Sequence, residues 1–207
     1  MFTRKYEIVG TCTEDCQGTL LDLGARDRVL RSHLHSGLQY QSVDQCPGHD
    51  FQWDLEQPLE CPDDAFDIVV ALDVLEHLEH IHTAFDEMLR IARSRVYISL
   101  PNMGCLSFRV HFLRYGRLAA KYALLPDHQG DRHRWLTSYA QMTTFVHELS
   151  RRSGWSVRQF DVAGDQAVYG RWFHLVRWLP LSPAAKTHTT VFEICKTINV
   201  EQGCAAA

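Results

Sequence analysis

The sequence predicts an α/β fold built on a mostly parallel sheet, on two observations. Short apolar runs alternate along the chain with segments of helical periodicity, and the residues capable of site chemistry fall just past the ends of those runs. Strands that alternate with helices imply right-handed crossovers, and such sheets bind ligands at the carboxyl ends of their strands.

The strand-like runs are Thr19 to Leu23, Tyr40 to Val43, Phe66 to Ala71 and Arg95 to Leu100, each bounded by polar or turn residues. From Leu78 onward, Ile81, Phe85, Met88, Leu89 and Ala92 recur at spacings of three and four, with Glu79, Asp86, Glu87 and Arg90 opposite, which predicts a helix packed on the sheet by one face. Met142, Phe145, Val146 and Leu149 repeat the pattern and Gly154 ends it. Trp155 to Phe160 alternates as a strand, and Thr189 to Lys196 supplies the last one.

A chain of 207 residues, 45% hydrophobic, can bury one full core, so residues 1–207 are expected to form a single domain. The N-terminus lacks the pattern of a signal peptide and no apolar run is long enough to span a bilayer, so a cytoplasmic location is expected. Seven scattered cysteines do not read as a disulfide framework. Cys12 and Cys16 make half of a metal motif with no second ligand pair nearby, so no metal is expected. The net charge of −4 hides an asymmetry: residues 1–102 carry 18 acidic and 8 basic residues, residues 103–207 carry 7 and 13.

Three stretches hold the chemistry. LLDLGARDRVL (residues 20–30) ends a strand at Asp22, turns at Gly24 and is expected to enter a helix. YQSVDQ places Asp44 just past the second strand, where a carboxylate can accept from both hydroxyls of an adenosine ribose; a nicotinamide cofactor would use the same acid. FQWDLEQPLECPDDAFDIVVALDVLEHL (residues 51–78) is the most specific of the three, and ISLPN (residues 98–102) follows it. In this layout the chain resembles the class I S-adenosylmethionine (SAM)-dependent methyltransferases of the bacterial small-molecule and glycan type (type 11/23-like), over about residues 19–196.

That resemblance implies a Rossmann-like, mostly parallel seven-stranded sheet with helices on both faces and a helical cap insertion. It implies SAM as cofactor and S-adenosylhomocysteine (SAH) as product. It places Asp22, Gly24, Ala25, Arg26, Asp44, Asp54, Leu55, Leu72, Asp73 and His77 around the cofactor, with Asp54 on the adenine amine, the Leu55 amide on the ring, and Leu72 and Asp73 at the methionine end. The first turn departs from the family: Ala25, Arg26 and Arg28 stand where it has Cys or Ala, Gly and Gly. Arg26 could pair with the SAM carboxylate or face solvent, and Arg28 reads as a solvent-facing residue of a first helical turn. Asp73 is sufficiently explained as a helix cap.

On the acceptor side, residues 103–135 interleave Phe108, Phe112, Leu113, Tyr115 and Leu118 with Arg109, Arg114, Arg117 and Lys121, which reads as a helical cap. GDRHRWLTSY (residues 130–139) resembles a stretch of bacterial glycan and natural-product methyltransferases and would bring Asp131, His133 and Tyr139 to the pocket. The candidate catalytic residues are therefore His133, His77 and Tyr139, with a structural role as the alternative for the two histidines. A second aromatic segment, about 167–183, reads as a lid lying on lipid or covering a sheet edge.

The basic, aromatic stretch fixes the sign of the partner better than its identity. The leading reading is methyl transfer to an oxygen, less readily a nitrogen, of an anionic small-molecule, glycan or lipid-linked acceptor, with peripheral membrane contact open. RNA ranks behind, since the first half of the chain is acidic and no RNA-binding domain is appended. A SAM-binding but inactive partner subunit is the third reading. A nicotinamide enzyme is disfavoured because the first turn lacks G-x-G-x-x-G.

Overall fold

The computed structural model describes residues 4–118, 120–123, 126, 132–164 and 178–197. Its elements run α1 (Arg4–Cys12), β1 (Gly18–Leu23), β2 (Leu38–Val43), β3 (Phe66–Leu72), α2 (Ile81–Ile91), β4 (Ala92–Pro101), α3 (Leu106–Tyr115), α4 (Tyr139–Arg152), β5 (Trp155–Ala163), a single turn α5 (Pro183–Lys186) and β6 (Thr187–Lys196). Short 3-10 turns cover Val29–His33, Leu75–His77 and Ala120–Tyr122.

The sheet has six strands in the order β2-β1-β3-β4-β6-β5. β2, β1, β3 and β4 pair in parallel, and β6 runs antiparallel between β4 and β5. The seventh strand expected from the family is reduced, among the described residues, to one parallel bridge between Val43 and Phe51. Pro47 and Gly48 interrupt the run, and Asp50 turns its carboxylate onto the Ser42 amide and hydroxyl at 2.8 and 2.6 Å, so the segment spends its polar groups locally instead of in a ladder.

Two apolar layers cover the sheet. Leu21, Val69, Val96 and Phe192 face α2 and α4 through Phe85, Met88, Met142 and Val146, while Leu20, Ile68, Val70 and Tyr97 face Val9 of α1. α2 buries Ile81, Ala84, Phe85, Met88, Leu89 and Ile91, the face its periodicity predicted. α4 starts at a capping box that SYAQ encodes: the Gln141 amide donates to Ser138 Oγ, and the Ser138 amide donates to Gln141 Oε1 at 3.1 Å.

Two local expectations are corrected. The chain does not enter an α-helix after the first motif. Gly24 (φ 66°), Arg26 (φ 44°) and Arg28 (φ 54°) all adopt left-handed backbone, which a right-handed helix excludes, and only the 3-10 turn at Val29–His33 follows. Nor does DVLEHL open α2: Asp73 (φ 58°) leads into the 3-10 turn Leu75–His77, the chain extends at Leu78, and α2 begins at Ile81. No helix among the described residues is long and apolar enough to cross a membrane. The described cysteines are all free thiols.

Candidate active site

The parallel strands β1, β2 and β3 end at the same edge, with Leu23 beside Val43 and Asp22 beside Val70. The chain leaves β1 toward β2 on one side and β3 continues the sheet on the other. This switch of direction opens a crevice there. It is a cleft of about 700 Å³, within the roughly 300–1,000 Å³ typical of small-molecule sites. Of the ten residues the sequence placed around a cofactor, Gly24, Ala25, Arg26, Asp44, Asp54, Leu55, Leu72, Asp73 and His77 line it.

Gly24 is required by a close approach. A Cβ there would lie 2.6 Å from Val74 Cγ2, so the turn after β1 and the turn after β3 pack directly on each other. The Ala25 amide donates to the Val43 carbonyl at 2.9 Å and the Arg26 amide to Asp44 Oδ2 at 3.0 Å, which ties this turn to the end of β2. Burial works to raise the Asp44 pKa, but the Cys46 and Arg26 amides outweigh it and hold the carboxyl below its ordinary value. Asp54 is exposed and accepts from Gln45 Nε2 and the Glu56 amide, both at 3.0 Å, and Trp53 beside it stacks on Phe51 at 4.6 Å.

Three sequence readings are corrected by placement. Asp22 does not reach the cleft: it is buried behind it, accepts from the Tyr40 hydroxyl at 2.7 Å, and burial pushes its carboxyl up to about 7 against that hydrogen bond. Arg28 is not solvent-facing but half-buried, donating to Ser42 Oγ at 3.2 Å and to the Gly48 carbonyl. Asp73 caps no helix. Its amide donates to Ser99 Oγ at 2.8 Å, the same hydroxyl donates back to Asp73 Oδ1 at 2.9 Å, and its other oxygen pairs with Lys5.

Lys5 is a residue that sequence reading missed, because lysine defaults to the surface. It reaches from α1 with 4% exposure, and burial pushes its ammonium down to about 8 against the pull of Glu76, with Lys121 adding to the fall. Glu56 was missed as well: it accepts from the Glu79 and His80 amides at 2.6 and 3.1 Å, so a cleft residue satisfies the backbone leading into α2.

His77 and His133 are brought together, their rings crossing edge to face at 4.6 Å. His133 Nε2 lies 3.9 Å from Oε1 of Glu76, a carboxylate with 1% exposure. Backbone bonds dock the segment carrying His133 here: the Arg134 and Trp135 amides donate to the Glu76 carbonyl at 2.8 and 3.4 Å, and Trp135 Nε1 donates to the Leu78 carbonyl at 2.7 Å. Tyr139 is not brought to the cleft. It sits at the start of α4, where its hydroxyl donates to Asp161 Oδ2 at 2.8 Å and accepts from Gln159 Nε2 at 2.7 Å.

Of the expected cap, Lys121 and Arg134 line the cleft and α3 contributes no lining residue; α3 buries none of its residues at all. Asp131 and residues 167–177 of the expected lid lie outside the described residues. Among the described residues, Glu76, His77 and His133 form a group with metal-ligating atoms within 4.8 Å of one another, whereas Cys12 faces Arg158 instead of a ligand set.

Comparison with solved structures places this architecture. Magnesium protoporphyrin IX methyltransferase (ChlM) from Synechocystis PCC 6803, solved with bound SAH, matches with a TM-score of 0.60 and 16% identity over 94% of this chain and 83% of that one. The small RNA methyltransferase HEN1 matches with a TM-score of 0.61 and 18% identity over 94% of this chain, which spans 25% of that protein. A complex of the Haloferax volcanii Trm112 methyltransferase activator with a putative methyltransferase matches with a TM-score of 0.57 and 16% identity over 94% of this chain and 91% of that one. At these identities the likeness establishes the fold. No curated protein sequence matches the chain. The family described as methionine biosynthesis protein MetW matches residues 14–151, and the chain belongs to that family, on the fold of the class I SAM-dependent methyltransferases.

Proposed function

We propose that the cleft binds SAM and that the protein transfers its methyl group to an oxygen of an anionic small-molecule, glycan or lipid-linked acceptor. One observation carries the reading: the turn after β1, Asp44 after β2, Asp54 and Leu55, and the Leu72 to His77 turn line a single cleft at the carboxyl ends of parallel strands. The residues present fit the cofactor. Asp44 is held ionised by two backbone amides and keeps acceptor capacity for a ribose diol. Asp54 and Leu55 take the adenine edge, with Trp53, Leu72 and Leu78 as apolar wall, and Arg26 brings positive charge to the end where a carboxylate must be held.

Bound SAM supplies a methyl on a sulfonium that is already activated, so the protein's task is to hold the acceptor, exclude water and receive a proton. Lys121 and Arg134 at the cleft favour an anionic acceptor. The proton falls to the Glu76–His77–His133 group, in which His133 beside the Glu76 carboxylate is the candidate base. The exposed face of α3, with Val110, Phe112, Leu113 and Tyr115 among Arg109 and Arg114, and Arg117 just past its end, supports contact with an anionic membrane surface, where a lipid-linked acceptor would reside.

Calorimetric titration with SAM and SAH tests the reading. The native chain binds both, and Asp44→Ala and Asp54→Ala each weaken binding about tenfold or more, the equivalent of about 1.4 kcal/mol or more for a lost charge-assisted hydrogen bond. No binding by the native chain overturns the enzyme reading in favour of an inactive partner subunit.

A further inference from the structure

We infer that Glu76, His77 and His133 form a binding site for a divalent transition-metal ion at the edge of the cleft. Two imidazoles and a carboxylate offer one ligand atom each, all within 4.8 Å of one another. Nitrogen and carboxylate ligands of this number select ions such as Zn²⁺, Fe²⁺, Mn²⁺ or Co²⁺ over Ca²⁺, and three protein ligands leave further positions open. Metal–ligand bonds near 2.1 Å put tetrahedral ligands about 3.4 Å apart, so ion binding requires the group to contract by up to about 1.4 Å from its 4.8 Å spread.

The surroundings match those of a metal site. His77 Nδ1 lies 3.0 Å from the Arg132 carbonyl, which can only accept; the ring therefore donates from Nδ1 and presents the Nε2 lone pair as the ligand atom. His133 is held by the backbone bonds of Arg134 and Trp135 to Glu76 itself, so a ligand and the carrier of another are tied through the main chain. Glu76 is a carboxylate with 1% exposure whose Oε1 lies 3.9 Å from His133 Nε2, so two of the ligands already stand side by side. His77 is the ligand that also lines the cleft, which sets the group at the cleft wall. If the acceptor binds there, which rests on the proposed methyl transfer, the ion would acidify its hydroxyl and the proton would pass to solvent water, with His133 acting as a ligand in place of the base role proposed for it.

The test is titration of the metal-free full chain with Co²⁺, followed by visible absorption and by metal content after desalting. One Co²⁺ per chain is expected, with the weak bands of nitrogen and oxygen ligation and without the intense near-ultraviolet band of thiolate ligation. His77→Ala and the conservative Glu76→Gln each weaken binding at least about tenfold, since even supporting residues of metal sites cost that much. Cys12→Ser leaves it unchanged. Failure to retain Co²⁺, a thiolate band, or equal retention by both ligand variants overturns the site. SAM titration of the same samples separates the two ideas: metal without SAM binding sinks the methyltransferase reading alone, and SAM binding without metal sinks this one alone.

Discussion

Arg26 and Arg28 hold left-handed backbone, φ 44° and 54°, at the positions where the resemblance led to glycine. A residue with a Cβ pays about 1–2 kcal/mol in that region. Glycine avoids this cost but loses about 0.5–1 kcal/mol of extra chain entropy on folding. Arg26→Gly is therefore expected to be about 0.5–1 kcal/mol more stable than Arg26→Ala, a midpoint difference of about 1–4 °C in a chain of this size. Arg28→Gly and Arg28→Ala should show the same gap from a lower base, because both lose the bonds to Ser42 Oγ and the Gly48 carbonyl. Urea and thermal denaturation of the four variants measure it. The pairs also separate backbone from side chain in function: if the Arg26 guanidinium holds the SAM carboxylate, both Arg26 variants bind SAM about tenfold more weakly despite their difference in stability. Alanine matching or exceeding glycine at both positions would refute the strain argument. Native SAM affinity in both Arg26 variants would return that side chain to solvent.

Gly24→Ala should cost about 2 kcal/mol and weaken SAM binding together, since its φ of 66° and a Cβ 2.6 Å from Val74 Cγ2 force the two turns of the cleft apart; urea midpoints and calorimetry on one preparation check it. Tyr97→Phe removes the hydroxyl that donates to Oε1 of buried Glu193 at 2.7 Å, and should lower stability by about 1–3 kcal/mol with an unchanged urea slope, a changed slope counting against a purely native-state effect. Asp22 gives a pH signature. Its carboxyl is raised to about 7 in the fold from 3.8, so its contribution is complete below pH 4 and is lost as pH rises through 7. The stability of the native chain relative to Asp22→Asn should therefore fall by roughly 2 kcal/mol or more between pH 5 and pH 8, and a difference that stays flat would show that Asp22 is not buried as a neutral acid.

The strands were legible because each is a short apolar run whose burial the sheet requires, and the gathering of Gly24, Asp44, Leu72 and Asp73 in one cleft followed because they sit immediately after those runs. What sequence reading missed shares one physical character: the partner is remote and the tie is made by the backbone or by an atypical burial. Lys5 lies 68 residues from Asp73, and a lysine with 4% exposure contradicts every compositional expectation. His133 joins His77 through the Arg134 amide and the Glu76 carbonyl, groups present at every residue and so without a sequence signature. The glycine-poor first turn is the instructive case. Loss of two glycines argued for a changed turn, yet the left-handed backbone is kept and the arginines bear it, because Ala25 and Arg26 amides are pinned to Val43 and Asp44 and the Arg28 side chain to β2 and its loop. Neighbouring structure over-determines the conformation, and the helix that should follow is lost in exchange, since a segment alternating left-handed residues cannot propagate right-handed turns. A departure from a motif therefore reports on the residues that compensate it, and here Ala25, Arg26 and Asp44 among them line the cleft.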